Sequence, residues 1–339
     1  MPANPILAEA IRGNFLENRH RGAFAVVDAE GRIVASAGDI DHPVFPRSAI
    51  KSMQALALFT TGAADRFGLD AEALALACAS HHGQDIHIEG VRRGLERLGL
   101  GVADLECGAH QPTNAQAREA LRVKGEAPTA LHNNCSGKHT GMLAVAKALR
   151  APTAGYVERD HPVQREVRAG VEAVIGVALS TDRCGTDGCS IPTFAAPLRA
   201  FATGFARMAT GAGLAPGVAA GSARLFDAAT ANPLLVAGTG HFDTLAMTAF
   251  GGRLMQKVGA EGVQCGALRD KGWGYALKCD DGNMAASQAM LAALLLAIAD
   301  PDAEQAALLA RFAAQPIKTV RGAEAGVLRA TGAVGQGMR

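Results

Sequence analysis

Ala23-Phe24-Ala25-Val26-Val27, the turn Asp28-Ala29-Glu30-Gly31, and Arg32-Ile33-Val34-Ala35-Ser36 decide the fold class. Two short apolar, β-branched runs flank a polar tetrapeptide that holds a glycine, which predicts a β-hairpin near the N-terminus. Outward from it, the pattern changes near residue 48 and stays helical to about 230. Ile50, Met53 and Ala57 recur at helical spacing, as do Leu74, Ala77 and Cys78. Val163, Val167, Val171, Val174 and Ile175 follow a proline suited to a first helical turn, and Leu198, Phe201, Ala202 and Phe205 form another stripe. Strands return near 242. Phe242–Phe250 and Arg253–Val258 around Gly251-Gly252 read as one hairpin. Val263–Leu268 and Trp273–Cys279 around 269–272 read as a second. An apolar helix follows at Met284–Ala299, another at 302–314, and a last strand pair at Ile317–Val320 and Gly326–Leu328. The Gly/Ala-rich stretch 209–221 reads as a loop and Thr331–Arg339 as a loose tail.

This order predicts an α+β fold: one antiparallel sheet built from both chain ends, with a helical region inserted. The expected organisation is a single catalytic unit over 1–339. Residues 1–45 and 240–330 form its sheet region, and 46–239 its mainly helical region. At 339 residues the length allows one large domain or two intimate ones. Lys+Arg total 33 against Asp+Glu 32, and aromatics are 4%. Such a neutral, aromatic-poor chain offers neither a basic footprint nor stacking platforms for nucleic acid, nor a surface for anionic membrane. Met284–Ala299 is broken by Ser287 and Gln288 and falls short of the ~18 apolar residues of a membrane span. The seven cysteines are odd in number, and no basic segment followed by an apolar run opens the chain. The expectation is a cytoplasmic protein with thiols that are free or metal-bound.

Ser48-Ala49-Ile50-Lys51 is the single S-x-x-K in the chain. At a helix start, i and i+3 share a face, and a lysine there can take the proton that makes a serine hydroxyl nucleophilic. As a bare motif it reads first as an N-cap serine with a surface lysine. Ser80-His81-His82-Gly83 closes an apolar segment. Lys257-Val258-Gly259-Ala260 ends a strand and is similar to the K-T-G strand that accompanies S-x-x-K in penicillin-recognising enzymes. The stretch 132–141, His-Asn-Asn-Cys-Ser-Gly-Lys-His-Thr-Gly, lacks the glycine a phosphate loop requires at position 132. Its Cys135, His132 and His139 are ligand types for zinc, and Cys184 and Cys189 add thiols on a turn-rich loop.

Taken together, Pro46–Lys51, Ala77–His81, Ala130–His139, Asp187–Thr193 and Lys257–Gly262 resemble the Rhizobium etli-type L-asparaginases, the class 3 or L-asparaginase II family. The resemblance runs from about 20 to 330. It implies a fold like the serine β-lactamases and glutaminases, and hydrolysis of L-asparagine to L-aspartate and ammonia. It implies two tandems, Ser48 with Lys51 and Ser80 with Lys257, with Ser48 or Ser80 as nucleophile. It implies Zn2+ on Cys135, Lys138 and Cys189, and a homodimer. Backbone N–H groups of Ser48 and Ala260 become the oxyanion donors. Arg47 and His139 are candidates for the substrate carboxylate, and Asp187 for its α-amino group. His82, Ser190 and Val258 depart from the family pattern. Cys78, Cys107, Cys265 and Cys279 are expected to bind no metal. The rival readings are a glutaminase or penicillin-recognising acyl hydrolase on the same scaffold, and a non-catalytic zinc or amino-acid binding protein.

Overall fold

The computed structural model describes residues 3–336. In chain order the strands are β1 (Ile6–Arg12), β2 (Phe15–Val27), β3 (Ile33–Ala37), β4 (Pro43–Val44), β5 (Cys184–Thr186), β6 (Pro192–Phe194), β7 (Ala196–Pro197), β8 (Leu254–Gly259), β9 (Val263–Leu268), β10 (Trp273–Cys279), β11 (Ala314–Lys318) and β12 (Glu324–Ala330). Eight of them form one sheet, ordered β11-β12-β1-β2-β10-β9-β8, with β3 also paired to β2. Every pairing is antiparallel. The N-terminal strands thus sit in the middle of strands from the C-terminal third, and the helices between them cover one face. The remaining strands make two ribbons, β4-β7 and β5-β6, inside the helical region.

Successive strand residues point to opposite faces, and here both faces are dry. Ala23, Ala25 and Val27 pack with the inserted helices, whereas Phe24 and Val26 pack with the helices Phe242–Phe250, Met284–Ile298 and Ala303–Ala313. On β10, Ala276 joins the first core, and Tyr275, Leu277 and Cys279 the second. The result is three layers, helix–sheet–helix, which explains the continuous apolar runs in the central strands.

Several expectations change. Phe242–Phe250 is a helix, not a hairpin strand. Phe242, Ala246 and Phe250 stand one turn apart and all enter the second core, and the His241 side chain accepts from Asp243 N–H at the helix start. Residues 209–221 are not one loop: a helix begins at Pro216 and runs to Ala231. The tail is tied down as far as it is described, since Thr331 donates from backbone and side chain to Leu7 and Ile6, and Val334 is buried. Residues 337–339 of the expected loose tail lie outside the described residues. β1 and the first half of β2 carried no alternation signal because Glu17, Asn18 and Arg19 face solvent. No described helix is long and apolar enough to cross a membrane.

Candidate active site

Pro46 leads into a 3-10 turn, Arg47–Ile50, followed at once by the short helix Lys51–Gln54. Arg47 has φ +52°, a left-handed conformation that a non-glycine residue holds only when its surroundings impose it. The turn leaves Ser48 half-buried and Lys51 fully buried. Lys51 Nζ donates to Ser80 Oγ at 2.9 Å, to the Ala79 carbonyl at 2.5 Å and to Cys135 Sγ at 3.1 Å. Among the described residues no hydrogen bond joins Ser48 to Lys51 or Ser80 to Lys257. The lysine of the first expected tandem instead touches the serine of the second.

Ser80 follows the Ala71–Ala77 helix on a loop whose backbone is pinned from two sides. Ser80 N–H donates to Val236 O at 2.9 Å and His81 N–H to Asn134 O at 3.1 Å. The His81 ring is taken up by Ser136 Oγ and Gly83 N–H, and burial holds it neutral. Lys257, on β8, is also buried, and its amine donates to the Val258 carbonyl at 2.8 Å. Burial lowers Lys257 to about 7, and the neighbouring Lys51 adds to the effect while Asp243 opposes it. Asp243 lies on the Phe242–Phe250 helix, a segment for which the sequence predicts a strand. It is fully buried and accepts from Val258 N–H at 2.8 Å. Gly259 ends β8 against the serine turn. A Cβ there would stand 2.6 Å from Pro46 O and 3.0 Å from Ala49 N, so only glycine lets the strand approach Ser48.

The 132–141 stretch opens the Ser136–Leu149 helix. Gly137 makes this possible, since a Cβ would lie 2.4 Å from Leu76 O on the helix that leads to Ser80. Cys135, Lys138 and Cys189 come together in the interior, with Lys138 Nζ donating to Cys189 Sγ at 3.0 Å. Interaction between the two sulfurs holds Cys135 far below the usual thiol range and pushes Cys189 up. Burial alone would lower Lys138, but the adjacent sulfurs raise it to about 12. Two sulfurs and an amine lie close together here, and the amine would have to give up its proton before it could offer a zinc ion a lone pair. A second group, His20, Cys279 and Asp281, places three ligand atoms within 4.8 Å of one another. Cys279, expected to be inert, therefore belongs to a possible metal site.

Arg47 Nε donates to Asp187 Oδ1 at 2.7 Å, and the same oxygen accepts from Gly188 N–H at 2.8 Å. Burial works against the Asp187 carboxylate, but Lys138 and Arg47 hold it below its ordinary range. His139 lies elsewhere in character. It is buried and its burial keeps it neutral; Nδ1 meets Tyr156 OH at 2.7 Å and Nε2 has no partner. A neutral ring offers no charge to a carboxylate. Among the described residues neither Ser48 N–H nor Ala260 N–H has a hydrogen-bond partner. A cavity of about 550 Å³ is lined by Phe45, Arg47, Glu261 and Lys278 among others. Ser48, Lys51, Ser80 and Lys257 do not line it; the two lysines are buried and the two serines keep partial exposure.

Comparison with solved structures finds low sequence identity. Mglu in its native form is 16% identical, with 78% of this chain and 61% of that chain covered and a TM-score of 0.43. The chain thus spans about three fifths of the length of Mglu. A β-lactamase from Mycobacterium bovis is 14% identical, with coverages of 81% and 93% and a TM-score of 0.41. The simvastatin synthase LovD6 mutant from Aspergillus terreus is 12% identical, with coverages of 76% and 86% and a TM-score of 0.37. No curated protein sequence matches the chain. A sequence model described as L-asparaginase II matches residues 8–330. That span runs from β1 to β12 and takes in every serine, lysine and cysteine of the cluster above, so the chain belongs to the L-asparaginase II family, a family of amidohydrolases.

Proposed function

We propose that this protein hydrolyses the side-chain amide of L-asparagine to L-aspartate and ammonia by serine–lysine catalysis. The observation that carries the reading is the 2.9 Å contact from Lys51 Nζ to Ser80 Oγ, which joins the lysine of one expected tandem to the serine of the other. Arg47 and Asp187 carry the charges opposite to those of an amino-acid zwitterion and satisfy each other until one arrives. The substrate carboxylate takes the free guanidinium nitrogens, and its ammonium takes the aspartate. Ser48, next in sequence to Arg47, attacks the amide carbon. Lys51, once it has released one of its own protons, accepts that of the hydroxyl, and the unpartnered N–H groups of Ser48 and Ala260 receive the oxyanion. Lys51 and Ser80 then pass a proton to the departing ammonia. Lys257, neutral just above pH 7, activates the water that releases aspartate.

Cys135, Lys138 and Cys189 would hold a zinc ion, which when bound supplies fixed positive charge and an open coordination position beside the substrate pocket. The reading also takes a homodimer, on the family resemblance, and a cytoplasmic enzyme, on the seven free thiols. A second reading makes Ser80 the nucleophile, with Lys51 at 2.9 Å as its base. Ammonia release from asparagine and glutamine, with mass spectrometry of the acylated peptide, tests both. Acylation at Ser48 supports the proposal and acylation at Ser80 selects the second reading. Asparagine binding without ammonia makes the protein a non-catalytic binder.

A further inference from the structure

We propose that His20, Cys279 and Asp281 form a second, structural zinc site. It lies on the opposite face of the sheet from the inserted helices. His20 comes from β2, where it pairs with Ala8, and Cys279 is the last residue of β10, paired with Gly22. Asp281 sits in the turn between β10 and the Met284–Ile298 helix. The turn is held in register by Asp280 N–H on Arg21 O and Gly282 N–H on Cys279 O. Imidazole and thiol are buried, whereas the carboxylate is half exposed at 49%.

The geometry converges on one point. His20 Nδ1 lies 2.7 Å from one Asp281 oxygen, Cys279 Sγ 3.0 Å from the other, and all three ligand atoms fall within 4.8 Å. Imidazole and thiol thus each hold one oxygen of the same carboxylate, and a single cation could replace both hydrogen bonds. Sulfur and imidazole nitrogen select zinc over calcium or magnesium. Binding balances simply. Zn2+ replaces the Cys279 thiol proton, which leaves to solvent. The His20 proton moves to Nε2, so that Nδ1 offers its lone pair. Thiolate and carboxylate then neutralise the dication, and water completes the tetrahedron on the exposed side of Asp281. The ion would staple β2, β10 and the start of the apolar helix, in a stretch where Lys278 and Asp280 also wall the cavity beside Arg47.

The test is zinc content and Co2+ titration of the full chain. The proposal expects two zinc ions per chain if the Cys135 site also fills. Asp281→Asn, His20→Ala and Cys279→Ser should each remove one, while Cys135→Ala leaves that one in place. Metal-free protein titrated with Co2+ alone should show a thiolate-to-cobalt absorption band that persists when Cys135 and Cys189 are both replaced by Ala and vanishes when Cys279→Ser is added to that variant. Because Cys279 is in the core, Asp281→Asn on the half-exposed turn serves as the variant that leaves packing intact. Zinc content indifferent to all three substitutions overturns the proposal, as does binding only at millimolar metal. The asparaginase reading does not enter these measurements, so either can fail alone.

Discussion

Lys51 Nζ and Ser80 Oγ lie 2.9 Å apart although 29 residues separate them in sequence. One comes from a helix that begins at a strained turn, the other from a loop pinned to Val236 and Asn134. In the proposed reaction this contact is the step through which a proton crosses between the tandems. Lys51→Met should therefore lower kcat by about 10²–10⁴-fold with the fold kept. Ser80→Ala should lose a comparable factor, and the double variant should be little worse than either single, because the groups act as a unit. Additive losses, read by steady-state kinetics beside circular dichroism, would separate the two residues into independent roles.

Much of this site was legible in the sequence, and the reason is local. S-x-x-K, the 132–141 stretch and Lys257-Val258-Gly259 each sit at the start or end of a regular element, where a motif keeps its shape. The pairing of Lys51 with Ser80 was not legible, because it depends on how the Ala71–Ala77 helix packs on Ser136–Leu149, which spacing does not encode. Asp243 was lost with the misread Phe242–Phe250 segment: its apolar run fits a short strand and a short helix equally. His20 and Cys279 were missed for a different cause. They meet only through the register of β2 against β10, 259 residues apart in numbering.

Arg47 and Asp187 pair at 2.7 Å in the absence of substrate. Arg47→Lys keeps the charge but loses the planar fork, and Asp187→Asn leaves the guanidinium without its anion. Each should raise KM for asparagine about 10–100-fold, on the basis of about 1.5–3 kcal/mol for a charged hydrogen bond, with a smaller change in kcat. A KM near that of the wild type in both variants would remove the zwitterion clamp.

Gly259→Ala should damage the site without touching a reactive group. The added Cβ meets Pro46 O at 2.6 Å, so β8 or the Ser48 turn must shift. The expected loss is about 1–3 kcal/mol of stability, as for other overpacked positions, together with a larger fractional fall in kcat than in substrate affinity. Urea unfolding and kinetics on the same preparation read both.

Lys257 makes stability and activity respond to pH in linked ways. Its folded value of about 7 lies below the ordinary 10.5, so between these limits the unfolded chain binds the extra proton. Stability attributable to this group therefore rises with pH across that window and is lowest at and below pH 7. Lys51, Asp243, Cys135 and Cys78 are the charged or titratable groups that set the shift besides burial. Lys257→Met should be more stable at pH 7 by about 2–4 kcal/mol, with the difference shrinking toward pH 10. It should also be inactive. Wild-type kcat/KM should rise through pH 7 to a plateau. A variant equally stable at pH 7 and pH 10 relative to wild type would contradict a neutral buried lysine.

The most direct test of the central claim is the rate of ammonia release from L-asparagine by the purified chain, measured beside Ser48→Ala. The account predicts one ammonia and one aspartate per asparagine consumed, with turnover all but abolished in Ser48→Ala while the variant still binds substrate. Tight asparagine binding without ammonia, or a Ser48→Ala kcat equal to that of the wild type, would contradict it.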